Sequence, residues 1–188
     1  MKIMSLDLEL NQPSGKVIQV GACVYDRKKE EVTATLSLFV NPQEPISKKI
    51  TELTGITNDD VTMNGYSVKE AYFLLKKFAK KHKVTKNPLV WGSGSWNDSS
   101  CLHKEASPDE PNFMGHRVLD VKTLYQFYRI ENSLTMKGGL NAATQELGIP
   151  FRGKNHNALD DAINTAYVYR YLTKLLKTDQ HFLQQEGL

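Results

Sequence analysis

The sequence lacks any long hydrophobic run. No segment of its 188 residues approaches the ~18 consecutive apolar residues that a membrane-spanning helix needs. Near the start, Asp7 interrupts a very short apolar stretch, so the pattern does not match the apolar region of a secretory signal. The chain is therefore expected to be soluble and to have no membrane partner.

Cysteine is also scarce, since Cys23 and Cys101 are the only two in the sequence. They are far apart, and each lies in or beside an apolar stretch. This spacing excludes a disulfide framework and a cysteine-based zinc site, and it is typical of reduced core thiols. We therefore predict a cytoplasmic setting.

The charge balance has little excess of either sign. Twenty-four Lys and Arg against 21 Asp and Glu give a net charge of +3 and a pI near 8.7. Such a balance permits a polyanionic partner without requiring one. With 40% hydrophobic residues, the length suits one domain. We assign it to residues 1–177, and we expect residues 178–188 to form a C-terminal tail prone to fraying.

Hydrophobic periodicity predicts an α/β fold. Residues 3–10, 17–25 and 33–40 have strand patterns with turn formers between the first two, which indicates an antiparallel meander. Short strands at 88–91 and 118–120 then alternate with helical patterns, which indicates parallel strands joined by crossovers. The predicted helices cover residues 47–53, 68–82, 98–102, 121–128, 139–147 and 159–176. We expect a mixed sheet flanked by helices.

Asp7 and Glu9 are the first candidate functional residues. They are separated by one residue on a predicted strand, so both carboxylates point to one face while Leu6, Leu8 and Leu10 point to the other. Two adjacent acids on a largely apolar strand repel each other, and a divalent metal would compensate them. The alternative is a strand with one solvent-exposed face.

Asp98 and Asp161 are later candidates. Asp98 follows a glycine- and serine-rich turn after a predicted strand, where the alternative role is a helix N-cap. Asp161 shares a helical stripe with Ala158, Thr165 and other apolar positions that should pack on the sheet. Asp160 falls on another side of the helix, where it would favour the helix dipole. We therefore prefer Asp161 as the metal ligand.

His156 lies on the loop that leads into the last helix, five residues before Asp161. An imidazole titrates near neutral pH, so a histidine beside a metal-bound water could act as a general base. Taken by itself, such a residue is more often an ordinary surface histidine.

The joint pattern resembles the DEDDh group of 3′→5′ exonucleases in the RNase H-like superfamily. It consists of D-x-E on the first strand, Asp98 after a later strand, and H-x4-D at the last helix, and it covers residues 3–176. Further matches are Q-V-G-A at 19–22, L-T-G-I-T at 53–57, the stretch 91–98, and residues 139–149. Asn97 replaces a common phenylalanine, and Gln19 replaces a common glutamate. Residues 13–16 and the W-G-x-G stretch look closer to the phage and bacterial branch of small stand-alone exonucleases than to proofreading subunits.

The resemblance implies a metal-dependent exonuclease acting on a nucleic acid with a free 3′ end. Two Mg2+ or Mn2+ ions would be held by Asp7, Glu9, Asp98 and Asp161, with His156 as the base. The product would be a nucleoside 5′-monophosphate, and the protein would be a monomer or homodimer. Similar enzymes contact the terminal nucleotide at positions matching Leu10, Thr54, Gly55 and Ile56. Trp96 and Phe151 are candidate stacking residues, for which core packing is the alternative.

Three alternatives stay open on the sequence. The chain could be a catalytically inactive RNase H-like module, although all the metal acids are present, or an interaction protein whose acids cover a surface. A lysine run near the second predicted helix could attract phosphates or form a solvated helix face. It comprises Lys69, Lys76, Lys77, Lys80, Lys81, Lys83 and Lys86.

Overall fold

A five-stranded mixed sheet forms the centre of the protein. The structure is a computed structural model that describes residues 1–92 and 97–185, and the side chains of 1–92 and 97–175. The strands are β1 (Lys2–Leu10), β2 (Val17–Asp26), β3 (Glu31–Phe39), β4 (Leu89–Val90) and β5 (Leu119–Asp120). Their order is β3-β2-β1-β4-β5, antiparallel among the first three and parallel from β1 through β5. The predicted mixed α/β sheet is confirmed.

Seven helices flank this sheet in the described part of the chain. They are α1 (Lys48–Thr54), α2 (Asn58–Asn64), α3 (Val68–His82), α4 (Asp98–Ala106), α5 (Val121–Glu131), α6 (Leu140–Glu146) and α7 (Ala158–Gln185). None of the described helices is long and apolar enough to span a bilayer.

The central strand β1 separates two apolar cores because its side chains alternate between the sheet faces. Met4, Leu6 and Leu8 pack with residues of α3 and α4 on one face. Ile3 lies in the core on the other face, with residues of α5, α6 and α7. Both faces of β1 are thus covered by helices. A polar side chain on this strand is therefore surrounded by protein unless it lies at a gap between the helices.

Two parts of the observed fold differ from the sequence expectations. Helix α2 was not predicted; it begins with a capping box in which Thr57 and Asp60 exchange hydrogen bonds, and Val61 is its only buried residue. Helix α7 continues to Gln185, beyond the predicted end at residue 176. Its first turns cross the sheet at β1 and β2, which positions the acids considered next.

Candidate active site

Strand β1 presents Asp7 and Glu9 on the sheet face that α7 covers. Antiparallel pairing sets Asp7 opposite Gly21 and Glu9 opposite Gln19 on β2. Glu9 is 9% exposed, while Asp7 retains more exposed surface. The period-two prediction for this pair therefore places both carboxylates where a helix approaches, and not on a solvent-exposed strand face.

Gly21 allows the start of α7 to lie directly on β2. A Cβ at this glycine would lie 2.0 Å from the carbonyl carbon of Ala158, so any side chain would push the helix away. Next to it, the Gln19 side chain accepts a hydrogen bond of 3.0 Å from the Ala158 amide. These two contacts fix the first turn of α7 beside Glu9 and Asp7.

Asp161 completes the close part of the cluster. One ligand atom from each of Glu9, Asp161 and His156 lies within 4.8 Å of the other two. Asp161 Oδ2 accepts a 3.2 Å hydrogen bond from the His156 amide, and His156 has a left-handed backbone with φ of 61°. Asp161 Oδ1 is buried and has no hydrogen-bond partner within the described ranges. One oxygen of this carboxylate thus lacks the partner that a buried polar atom normally has.

Asp98 approaches the cluster from α4. The helix N-cap is Asn97, whose side chain accepts a 3.0 Å hydrogen bond from the Ser100 amide. The N-cap interpretation of Asp98 is therefore wrong, because its neighbour caps the helix. The negative charge of Asp98 raises the pKa of both Asp7 and Glu9, so its carboxylate belongs to the same electrostatic group.

The four carboxyl groups have raised pKa values. Desolvation is the main cause for Asp7, followed by the charges of Asp98, Asp161 and Glu9, and its pKa lies well above the usual value. Burial and the charges of Asp161 and Asp98 raise the pKa of Glu9 to about 7. Burial raises the pKa of Asp98 to about 7. Burial also raises the pKa of Asp161 to about 6, although the His156 amide opposes the shift. The cluster therefore resists full ionisation without a cation.

The donor set fits a hard divalent cation. All four acids offer oxygen ligands, which Mg2+ and Mn2+ prefer. Within the described side chains, no lysine or arginine is among the main influences on these four pKa values. Neighbouring acids without a protein cation, together with the orphaned oxygen of Asp161, are the features expected of a site completed by metal.

Asp160 and Asp161 point in different directions, as the helical stripe predicts. Asp160 Oδ2 accepts a 2.8 Å hydrogen bond from the Lys154 amide and lies against Gly153. Asp161 is 9% exposed and faces the sheet with Ala158 and Thr165. The structure thus brings Asp161, and not Asp160, to the acids of β1.

The predicted substrate contacts occupy mixed environments. Gly55 is exposed, whereas Ile56 is buried in a small core and the Thr54 hydroxyl donates to the Ile50 carbonyl. Leu10 and Phe151 are partly buried against the two main cores, which agrees with the packing alternative for Phe151. Trp96 lies outside the described residues.

Lys154 is a candidate that the sequence analysis missed. Its ammonium donates a 3.0 Å hydrogen bond to the Thr54 carbonyl, which joins the loop bearing His156 to the turn at Gly55. The partner is a backbone carbonyl 100 residues away, so no sequence pattern could have indicated this contact.

Comparison with known proteins identifies the family. A model of the RNase T family of exonucleases matches residues 5–169. The chain belongs to this exonuclease family. Human ERI1 exoribonuclease 2 is 29% identical over 177 residues, which cover 81% of this chain and 24% of the relative. DNA polymerase III PolC-type of Clostridium perfringens is 29% identical over 164 residues, covering 87% of this chain and 10% of that protein. The chain therefore spans at most about a quarter of the length of these two relatives.

Solved structures support the fold of this exonuclease domain. The nuclease domain of 3′hExo, a DEDDh family member bound to rAMP, has a TM-score of 0.77 at 20% identity and 92% coverage of both chains. Cell-death related nuclease 4 gives 0.78 at 15% identity, covering 93% of this chain and 64% of that one. Exonuclease X, in complex with 5′-overhanging duplex DNA, gives 0.62 at 15% identity, with 93% and 91% covered.

The raised carboxyl pKa values predict that the metal-free protein loses stability as pH rises. Carboxyl groups of an unfolded chain have pKa values of ~4, whereas those of Glu9 and Asp98 in the folded protein are about 7. Between these two pH values the folded state retains protons that the unfolded state releases. Raising the pH through this range therefore favours unfolding. Melting curves in EDTA from pH 5 to 8 measure this loss. Asp161→Asn should reduce it, whereas Asp109→Asn should not.

We expect Mn2+ to reverse this loss, because a divalent ion would bind the ionised acids. At a free concentration a hundred times Kd, the gain is about 2.7 kcal/mol, or roughly 5–10 °C in Tm for a domain of this size. The gain should be larger at pH 8 than at pH 5. Equal gains for wild type and Asp161→Asn would contradict a metal site at this cluster.

Lys154 should act as a positioning residue for the His156 loop. Lys154→Met retains the length of the side chain and removes the donor to Thr54, so we expect kcat to fall about tenfold or more, because small misplacements of catalytic groups are costly. Lys154→Arg should restore most of the loss, and Lys48→Met on α1 is the matched control. An unchanged kcat for Lys154→Met, or no rescue by arginine, would contradict this role.

Proposed function

We propose that this domain is a metal-dependent 3′→5′ exonuclease that releases nucleoside 5′-monophosphates from DNA or RNA. The observation that carries the proposal is the convergence of acids from β1, α4 and α7 on one cluster beside His156. The family match supports the same reaction class. The relatives named as exoribonucleases support RNA as the substrate. The similarity to a PolC-type DNA polymerase and to exonuclease X, whose structure contains DNA, supports DNA as an alternative substrate.

Asp7, Glu9, Asp98 and Asp161 would hold two divalent ions. Two such ions stabilise the attacking and leaving oxygens of an in-line phosphoryl displacement. The fit rests on the oxygen-only donors and on the unpartnered Oδ1 of Asp161. Whether the enzyme belongs to the phage and bacterial branch stays a prediction.

His156 would accept the proton of the attacking water. The water oxygen then bonds to the terminal phosphorus as the phosphodiester bond breaks, and the departing 3′ oxygen takes a proton from solvent. The imidazole lies beside Glu9 and Asp161, so the same geometry would also suit a third protein ligand. We favour the base because oxygen ligands are preferred by Mg2+.

An inactive module is the competing function. It would bind nucleic acid or a protein partner without cleavage. Nothing in the four acids supports it, since none is replaced by a residue unable to bind metal.

End-labelled oligonucleotides test the proposed reaction. We expect Mg2+ or Mn2+ to release a 3′ label at once as a mononucleotide, while a 5′-labelled strand shortens stepwise, and EDTA should stop both. Matched DNA and RNA strands give the sugar preference. Asp7→Asn controls for contaminating nucleases. Release of the 5′ label first, internal cleavage or metal-independent activity would contradict the proposal.

His156 and Asp161 can be separated by comparing turnover with metal binding. His156→Ala should lower kcat by at least about 10²-fold, as loss of a general base does, while Mn2+ affinity measured by calorimetry changes little. Asp161→Asn should weaken both. His116→Ala, at an exposed histidine outside the cluster, is the matched control. Near wild-type turnover, or lost Mn2+ binding, in His156→Ala would contradict the assignment as base.

A further inference from the structure

The lysines of the run on and after α3 are all exposed, but they differ in their neighbours. Lys77 lies over the ring of Phe73 at 4.5 Å, and Lys76 pairs with Glu110 at 3.9 Å. Lys80, Lys83 and Lys86 take part in none of the ion pairs found among the described residues. The same holds for Lys69, Lys77 and Lys81, so Lys76 is the one lysine of the run with an ion pair in the described part of the chain.

Lys80, Lys83 and Lys86 line one groove of about 410 Å3. Lys80 comes from the last turn of α3, whereas Lys86 comes from the segment that precedes β4. Its apolar lining, or floor, includes Met4, Phe113 and Met114, of which only Phe113 is more than 2% exposed. Lys76, which pairs with Glu110, also lines the groove, and no acidic residue is among the described residues of the lining. We call this feature the lysine groove.

Helix electrostatics does not account for the whole lysine groove. A lysine in the last turn of a helix interacts favourably with the helix dipole, which explains Lys80. Lys86 lies beyond the helix, yet it converges on the same apolar floor. Positive charges from two segments that line one groove with apolar surface strengthen the local positive field.

A single-stranded nucleic acid has the matching chemistry. Proteins that bind such strands combine a positive groove along the phosphates with apolar or aromatic surface for the bases. The lysine walls and the Phe113 floor offer both components. An acidic peptide would match the charge alone, whereas a nucleic acid strand also provides flat rings for the floor.

The lysine groove lies away from the acid cluster. Met4 belongs to the opposite face of β1 from Asp7, and three residues of strand separate them by about 10 Å along β1. The groove also borders the segment where Thr85 bonds Lys2 at the start of β1. A strand with its 3′ end at Asp7 must therefore pass around the sheet to reach the lysines, which requires several nucleotides.

We propose that the lysine groove binds the phosphate backbone of the substrate strand, upstream of the 3′ end held in the acid cluster. The inference rests on the proposed exonuclease function and adds a second binding site to it. Its consequence is a preference for long single strands, since a dinucleotide reaches only the acid cluster.

The test compares two triple variants with equal loss of charge. One carries Lys80→Gln, Lys83→Gln and Lys86→Gln in the groove. The control carries Lys28→Gln, Lys29→Gln and Lys137→Gln, at exposed positions elsewhere. All six lysines are exposed, so both proteins should fold, and their Tm values verify this.

We expect the groove variant to raise KM about tenfold for a single strand of about 20 nucleotides, longer than the usual site sizes. Its kcat/KM on a dinucleotide should equal that of wild type. The slope of log affinity against log salt should decrease by about 2, since each single-strand phosphate contact contributes ~0.7. The control variant should match wild type in all three measurements.

Two results would overturn the lysine groove as a nucleic acid site. One is an unchanged KM and salt slope on the long strand while the dinucleotide is cleaved normally. The other is tighter binding of a polyglutamate peptide than of an oligonucleotide of equal charge, which would assign the groove to a protein partner. Failure of wild type to cleave even the dinucleotide would instead reject the exonuclease function, and oligonucleotide binding in EDTA would still test the groove.

Discussion

The contact between Gly21 and the first turn of α7 is the constraint on which the site depends. The acids of β1 and the acid of α7 are separated by more than 150 residues of chain, and they meet because a position without a side chain lets helix and sheet backbones approach. Gln19 adds a hydrogen bond to the Ala158 amide. A bulkier β2 residue would move Asp161 away from Glu9, so the glycine determines whether these acids converge.

The hydrogen bond from the His156 amide gives Asp161 a distinct place among the acids. Burial raises its pKa to about 6, and this donor opposes the rise. The first turn of a helix also favours a negative charge. The loop that supplies the histidine thus also prepares the carboxylate beside it for a cation.

Periodicity explains which features could be predicted from the sequence. Alternation placed Asp7 and Glu9 on one face, and the helical stripe selected Asp161 over Asp160, because both depend on local geometry. Helix α2 was missed since it buries only Val61 and has no apolar period. Asp98 was given a capping alternative because Asn and Asp cap equally well, and only the structure shows that Asn97 takes that role. Lys154 was missed because its contact with the Thr54 carbonyl joins residues that are far apart in the sequence.

The separation of acids from lysines is itself a physical requirement of the proposed chemistry. A lysine among the carboxylates would compensate their charge and compete with divalent ions, and among the side chains that the structure describes no lysine or arginine is a main influence on their pKa values. Charges further apart than the Debye length of ~8 Å at physiological salt are largely screened from each other when exposed. Lysines on the other face of the sheet can therefore attract phosphates without displacing metal from the acids.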